Sequence, residues 1–284
     1  VRARACNLAG NLCRHSDRHY RLLLESGVVA ALISRCADPD RGARKFACFA
    51  IGNAAFHSAQ LYEALRPAVR PLVALLRGHY GAAGGAGASS GGGCGGGNGG
   101  GNGGGGNGND PACLEDPKTR ANAAGALGNL VRNSSLLCGE LVRSGALKAL
   151  LDTAAAAAVV ATPGPAASNG GGRRASNDDG GGGAESGSPA KIALFSLGNM
   201  CAHRECREEL LALGIVRVLA ALQAACAASS SSSASASASG GGVSAAADPA
   251  LRKYVSRVHA KLAQHGGVPL SSSPASAMMA ARRG

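Results

Sequence analysis

The pair Gly-Asn recurs inside four apolar stretches, "RARACNLAGNLCRHS", "ARKFACFAIGNAAFHS", "TRANAAGALGNLVRNS" and "AKIALFSLGNMCAHR", which place Asn11, Asn53, Asn129 and Asn199 in one phase. A short amphipathic piece follows each stretch: "DRHYRLLLESG", "AQLYEALRP", "SLLCGELVRSG" and "ECREELLALG". A third apolar piece then closes the unit, as in "VVAALISRCAD" and "IVRVLAALQAA". Asn11 and Asn53 are 42 residues apart, and removing the Gly-rich insertions brings the later spacings to about 40. A three-helix unit of this size cannot bury its own apolar face, so such units stack. Gly27, Gly145 and Gly214 separate the second helix from the third, and Pro67 does so in the second unit. "DPALRKYVSRVHAKLAQHG" supplies one further lead helix without the pair. The expected fold is all-α, an α-solenoid of about four three-helix repeats plus a partial fifth.

Composition matters mainly for where the repeats stop. Gly accounts for 44 of 284 residues, much of it in tracts that bury too little apolar surface to offset chain entropy. The expected organisation is repeats at 1–77, a disordered insertion at 78–114, a repeat at 115–154, an insertion at 155–187, a repeat at 188–226, a linker at 227–246, a terminal helix at 247–266 and a disordered tail at 267–284. The net charge of +12 belongs to the structured parts, +7 of it to residues 1–77, which favours an acidic partner surface. Ten cysteines lie mostly within apolar helical patterns and form no framework spacing, which suggests a reducing, cytoplasmic compartment. No run of about 18 apolar residues suggests a membrane span. The chain opens in the middle of a helical pattern, as a fragment does.

Residues four apart share a helix face, so Asn53 lies beside Phe49 and Asn199 beside Phe195. Phe46, Ala50 and Ala54 form a neighbouring stripe suited to packing. An Asn repeated at one phase ties adjacent repeats together or lines a groove and binds a ligand, and one ladder can serve both ends. If it only binds a ligand, replacing Asn53 and Asn129 by Ala leaves the melting transition nearly unchanged.

"LVRSGALKALLD" and "ALGNL" resemble the armadillo repeat, and the resemblance covers nearly all of the repeat regions. It implies that the Gly-Asn helices line a concave groove whose asparagines hydrogen-bond an extended partner. The candidate binding residues are Asn11, Asn53, Asn129, Asn199, Phe49, Phe195 and Arg44, with Arg2, Arg4 and Arg14 as further cations. Nuclear import adaptors place a Trp one turn before each Asn. This chain has Asn7, Phe49, Gly125 and Phe195 there and no Trp, and its basic character suits a lysine-rich cargo poorly. "KFACFAIGNAAFHSAQLYEAL", with "ANAAGALGNL" and "ALFSLGNM", is similar to the C-terminal armadillo region of the Fused family of serine/threonine kinases. That resemblance implies a scaffold that binds a kinesin-like or other protein partner in ciliary, cytokinetic or signalling assembly, with a cilium or microtubule location. Two alternatives are a generic armadillo adaptor without a kinase and a basic nucleic-acid-binding solenoid. Against the latter, base-reading repeats need variable polar side chains at fixed positions, and these helices offer mostly Ala, Gly and apolar residues.

Catalytic chemistry is not expected of this chain, although the parent resembles a kinase. The phosphate-pairing lysine, catalytic-loop Asp and metal-binding Asp that a kinase needs have no counterparts in the sequence. The G-x-G-x-x-G matches in 81–109 lack the flanking strand and helix that would give them meaning. Cys201, His203 and Cys206 have no zinc-motif spacing, so no metal or other cofactor is expected. Asn133-Ser134-Ser135 has the form of a glycosylation sequon. "RRAS" makes Ser176 a candidate phosphorylation site for a basophilic kinase.

Overall fold

The computed structural model describes residues 1–78, 115–159, 188–232 and 249–266, which form helices joined by short turns. The first unit holds α1 (Arg2–Leu12), α2 (Tyr20–Glu25) and α3 (Val28–Arg35). The second holds α4 (Arg41–Ala54), α5 (Tyr62–Leu65), a 3-10 turn (Arg66–Ala68) and α6 (Val69–Leu76). The third holds α7 (Pro117–Asn129), α8 (Cys138–Arg143) and α9 (Ala146–Val159). The fourth holds α10 (Pro189–Met200), α11 (Arg204–Ala212) and α12 (Ile215–Ser232), and α13 (Pro249–Gly266) follows.

Local chemistry sets these boundaries. Asp40 caps α4 by accepting the Ala43 amide at 2.8 Å, and Asp116 caps α7 by accepting the Lys118 amide at 2.8 Å, with Pro117 opening the helix. Gly27, Gly145 and Gly214 adopt φ of 72°, 69° and 80°, the left-handed turn that separates second from third helix. Two helices outrun the expected boundaries: α9 continues to Val159 and α12 to Ser232. The Ala-rich runs there have high helix propensity and no breaker, so the helix extends past its packed part.

The Gly-Asn helices and α13 form a continuous row, with α1 against α4, α4 against α7, α7 against α10 and α10 against α13. The third helices pack behind the row, α3 on α4, α6 on α7 and α9 on α10. One apolar core runs through the stack, with Ile51, Leu127 and Leu197 buried at the same phase in successive units. The eight described cysteines are all buried free thiols. Burial pushes Cys13 up to about 11 and Cys201 up to about 12, so these thiols stay protonated and pack as small apolar groups.

The glycine of each pair is not equally constrained. A Cβ on Gly10 would lie 2.6 Å from the Phe49 ring, and one on Gly128 would lie 2.7 Å from the Ser196 Cα. On Gly52 the nearest atom would be Ala126 Cα at 3.5 Å, and on Gly198 Val258 at 3.7 Å, both ordinary contacts. Close helix approach therefore requires glycine at Gly128, whereas Gly52 lies where alanine fits. Gly128→Ala is expected to lower stability by about 1–3 kcal/mol through overpacking. Gly52→Ala is expected to be neutral or stabilising by up to about 1 kcal/mol. Chemical denaturation of the two variants measures the contrast.

Candidate functional site: the asparagine row

Each asparagine beyond the first reaches back to the preceding unit. Asn53 Nδ2 donates to the Gly10 carbonyl at 2.9 Å, Asn129 Nδ2 to the Gly52 carbonyl at 2.9 Å and Asn199 Nδ2 to the Gly128 carbonyl at 3.3 Å. The accepting carbonyls lie in the last turns of α1, α4 and α7, where intrahelical donors run out. A second rung stands one turn further on. His57 Nε2 donates to the Arg14 carbonyl at 3.1 Å, Asn133 Nδ2 to the Phe56 carbonyl at 3.0 Å and His203 Nε2 to the Val131 carbonyl at 2.5 Å. His203 is thus engaged with backbone, while Cys201 and Cys206 are core side chains.

Two tyrosines brace the same helix ends from the other direction. Tyr20 of α2 donates to the Asn53 carbonyl at 2.8 Å, and Tyr62 of α5 donates to the Asn129 carbonyl at 2.6 Å. Burial pushes the Tyr20 hydroxyl up to about 12, so it remains a donor throughout the physiological range. In the third unit the buried Cys138 takes the tyrosine's place.

The ladder ties adjacent repeats together, one of the two roles the repeated phase allows: Asn53 and Asn129 each satisfy a carbonyl of a buried glycine. The same side chains remain half-exposed, and the ladder uses one amide proton of each, so the second N–H and the Oδ1 are chemically available at the open side of the row. Asn11 differs: it is exposed, and its Nδ2 meets only Asn7 Oδ1 of its own helix at 3.4 Å.

Aromatic residues lie along the row, and three of them, Phe46, Phe56 and Phe195, carry cations. Phe49 is half-buried over Gly10. Phe195 is half-buried, meets Tyr254 edge-on with centroids 6.0 Å apart and has the Arg257 guanidinium 5.3 Å from its centroid. Arg132 stacks on Phe56 at 4.0 Å and Lys45 on Phe46 at 4.6 Å. Arg44, expected on this surface, lies elsewhere. It is 3% exposed, pairs with the buried Glu115 at 2.5 Å and donates to the Asp38 carbonyl at 2.8 Å. Its guanidinium sits in the interior because Glu115 and backbone carbonyls saturate it there. The Glu115 amide meets the Gly78 carbonyl at 3.4 Å, so this buried pair secures the two ends of the Gly-rich insertion side by side. Arg2 is likewise paired, bidentate to Asp38, whose carboxyl is held below its ordinary value first by that hydrogen bond. Arg4 and Arg14 are exposed. Ser176 lies outside the described residues.

Charge on the row is one-sided. Helices α1, α4, α7, α10 and α13 carry Lys or Arg and no Asp or Glu. Every acidic group among the described residues lies on the turns or on the second and third helices, as do Glu25, Glu63, Glu140, Asp152 and Glu208. The segregation has no sequence motif of its own and becomes visible only once the helices are laid side by side.

This architecture is shared with solved structures. A designed armadillo repeat protein in complex with the peptide (KR)4 aligns with a TM-score of 0.54 at 17% identity, over 89% of this chain and 72% of that one. A computationally designed armadillo repeat protein for modular peptide recognition aligns with 0.53 at 17% identity, over 91% and 74%. No protein-family model matches the chain. The fold is an armadillo-type solenoid.

The curated relatives narrow the class. Serine/threonine-protein kinase TIO of Arabidopsis thaliana is 38% identical over 110 residues, 38% of this chain and 7% of that protein. Serine/threonine-protein kinase 36 of Mus musculus is 39% identical over 77 residues, 27% of this chain and 6% of that protein. The chain is an armadillo-like region related to the Fused-type kinases, and it spans less than a tenth of the length of these relatives.

Removal of the Asn53 and Asn129 amides together (Asn53→Ala, Asn129→Ala) is expected to lower stability by about 1–3 kcal/mol in total, from about 0.5–1.5 kcal/mol for each bond. Urea denaturation checks the loss. An unchanged midpoint would show that the asparagines do not hold the repeats together.

Proposed function

We propose that this chain is the non-catalytic, protein-binding part of a larger Fused-type serine/threonine kinase. Its ligand is an extended acidic segment of a protein partner, lying along the exposed side of the Gly-Asn helices. The observation that carries the reading is the acid-free row, in which half-exposed asparagines alternate with cations held over aromatic rings. Asn53, Asn129 and Asn199 offer their remaining amide groups to the ligand main chain, and Phe49 and Phe195 flank them. Arg14, Arg132, Lys45 and Arg257 meet carboxylates. Ring stacking holds three of these cations near the row, which lowers the entropy lost on binding.

The designed armadillo protein binds a lysine- and arginine-rich peptide. The row here is itself basic, and the rings of Phe46, Phe56 and Phe195 already carry the chain's own cations. The kinesin-like partner and the ciliary, cytokinetic or microtubule setting rest on the resemblance to the Fused kinases. Among the described residues no single helix is long and apolar enough to cross a membrane.

Fluorescence anisotropy with an Asp/Glu-rich peptide, a Lys/Arg-rich peptide and random RNA tests the proposal. The acidic peptide is expected to bind. Arg132→Glu with Arg257→Glu is expected to weaken it about tenfold or more while leaving the melting midpoint within a few degrees. Preference for the basic peptide would overturn the acidic-ligand reading, and strongly salt-dependent binding to RNA alone would favour the nucleic-acid alternative.

A further inference from the structure

The interface between units repeats with little change, and its chemistry can be written position by position from the asparagine. Three residues before it stand Ala50, Ala126 and Ser196, and one residue after it stand Ala54, Leu130 and Met200, all buried. Six before it are Ala47, Ala123 and Ala193, also buried. Four after it are the second-rung donors His57, Asn133 and His203. In α1 and the turn after it the same positions are Leu8, Leu12, Ala5 and His15, and all four are exposed, Leu8 at 63% and Leu12 at 43%. Behind them lies an apolar groove of about 450 Å³, lined by Cys6, Ala9, Leu23, Val28 and Leu32.

The polar half of the interface is also present and unused. Asn11 reaches no carbonyl, and His15 makes no hydrogen bond to a described residue. We infer that the α1–α3 end of the solenoid is a stacking face, covered in the parent protein by a further armadillo-type unit of the same polypeptide. That unit presents two backbone carbonyls from the C-terminal end of its own lead helix to Asn11 and His15, with an apolar surface against Leu8 and Leu12. Leu8 replaces the alanine or serine of the internal interfaces, so the incoming helix leaves room for a leucine where Gly128 leaves room for Ser196.

A second copy of the chain does not fit this chemistry. Face to face, it brings donors to donors, because the Gly10 and Arg14 carbonyls already accept from Asn53 and His57. Head to tail, it offers the outer side of α13, where Arg252, Lys253, Ser256, Arg257 and Gln264 are exposed. A basic, polar surface of that kind closes a stack and does not bury leucines.

Hydrogen exchange of the α1 amides, in the 284-residue chain and in the parent protein as its cells make it, tests the inference. The α1 amides are expected to exchange about tenfold or more slowly in the parent. Asn11→Ala with Leu12→Ser is expected to remove that protection in the parent and to leave the exchange of the 284-residue chain unchanged. Equal exchange in the two proteins overturns the inference. So does sedimentation showing that the 284-residue chain self-associates and becomes monomeric on Leu8→Glu, which would give the face to a second copy. Neither result depends on what the asparagine row binds.

Discussion

The stack depends on a hydrogen bond between a side-chain amide and the carbonyl of a glycine one unit back. Helix ends expose carbonyls that need donors, and burying them between packed helices without donors costs free energy. Asn53, Asn129 and Asn199 supply those donors while the core behind them stays apolar. The bond also sets register, because an asparagine displaced by one residue turns about 100° around its helix and misses the carbonyl. The second rung from His57, Asn133 and His203, and the bracing hydroxyls of Tyr20 and Tyr62, act on the same helix ends. Several directional bonds at each joint therefore fix how one unit sits on the next.

That structural duty leaves room for a binding role. The bond to the glycine carbonyl uses one amide proton and holds the side chain in one orientation, with its other polar atoms toward the open side of the row. A preorganised amide loses less entropy when a ligand arrives than a freely rotating one. The charge pattern then separates classes of ligand. The row helices carry no carboxylate, and cations stack on Phe46, Phe56 and Phe195, which is the pattern the proposed acidic ligand rests on. The fold does not determine ligand charge; the side chains of the row do.

Much of the fold was legible because the repeat is written in the sequence: the Gly-Asn phase, the punctuating glycines at Gly27, Gly145 and Gly214, and the apolar positions that became the core. What escaped sequence reasoning has a common physical cause. The partner of Asn53 is a carbonyl, and carbonyls carry no residue identity. Arg44 looked like one more surface cation because its partner, Glu115, lies beyond a Gly-rich insertion. Tyr20 and Tyr62 read only as amphipathic-helix residues, although both stand nine residues after the asparagine of their unit, which is a readable signal. The helix ends at Val159 and Ser232 have a different cause: runs of alanine and serine read as linker by composition, although alanine favours helix.

The asparagines are bonded to the preceding unit before any ligand arrives. Scalar couplings across hydrogen bonds in isotopically labelled protein test it directly. Without ligand, a coupling is expected from the Asn53 side-chain nitrogen to the Gly10 carbonyl carbon and from the Asn129 side-chain nitrogen to the Gly52 carbonyl carbon, with one slowly exchanging proton on each amide. Absent couplings, with both protons exchanging as freely as those of a surface asparagine, would contradict it.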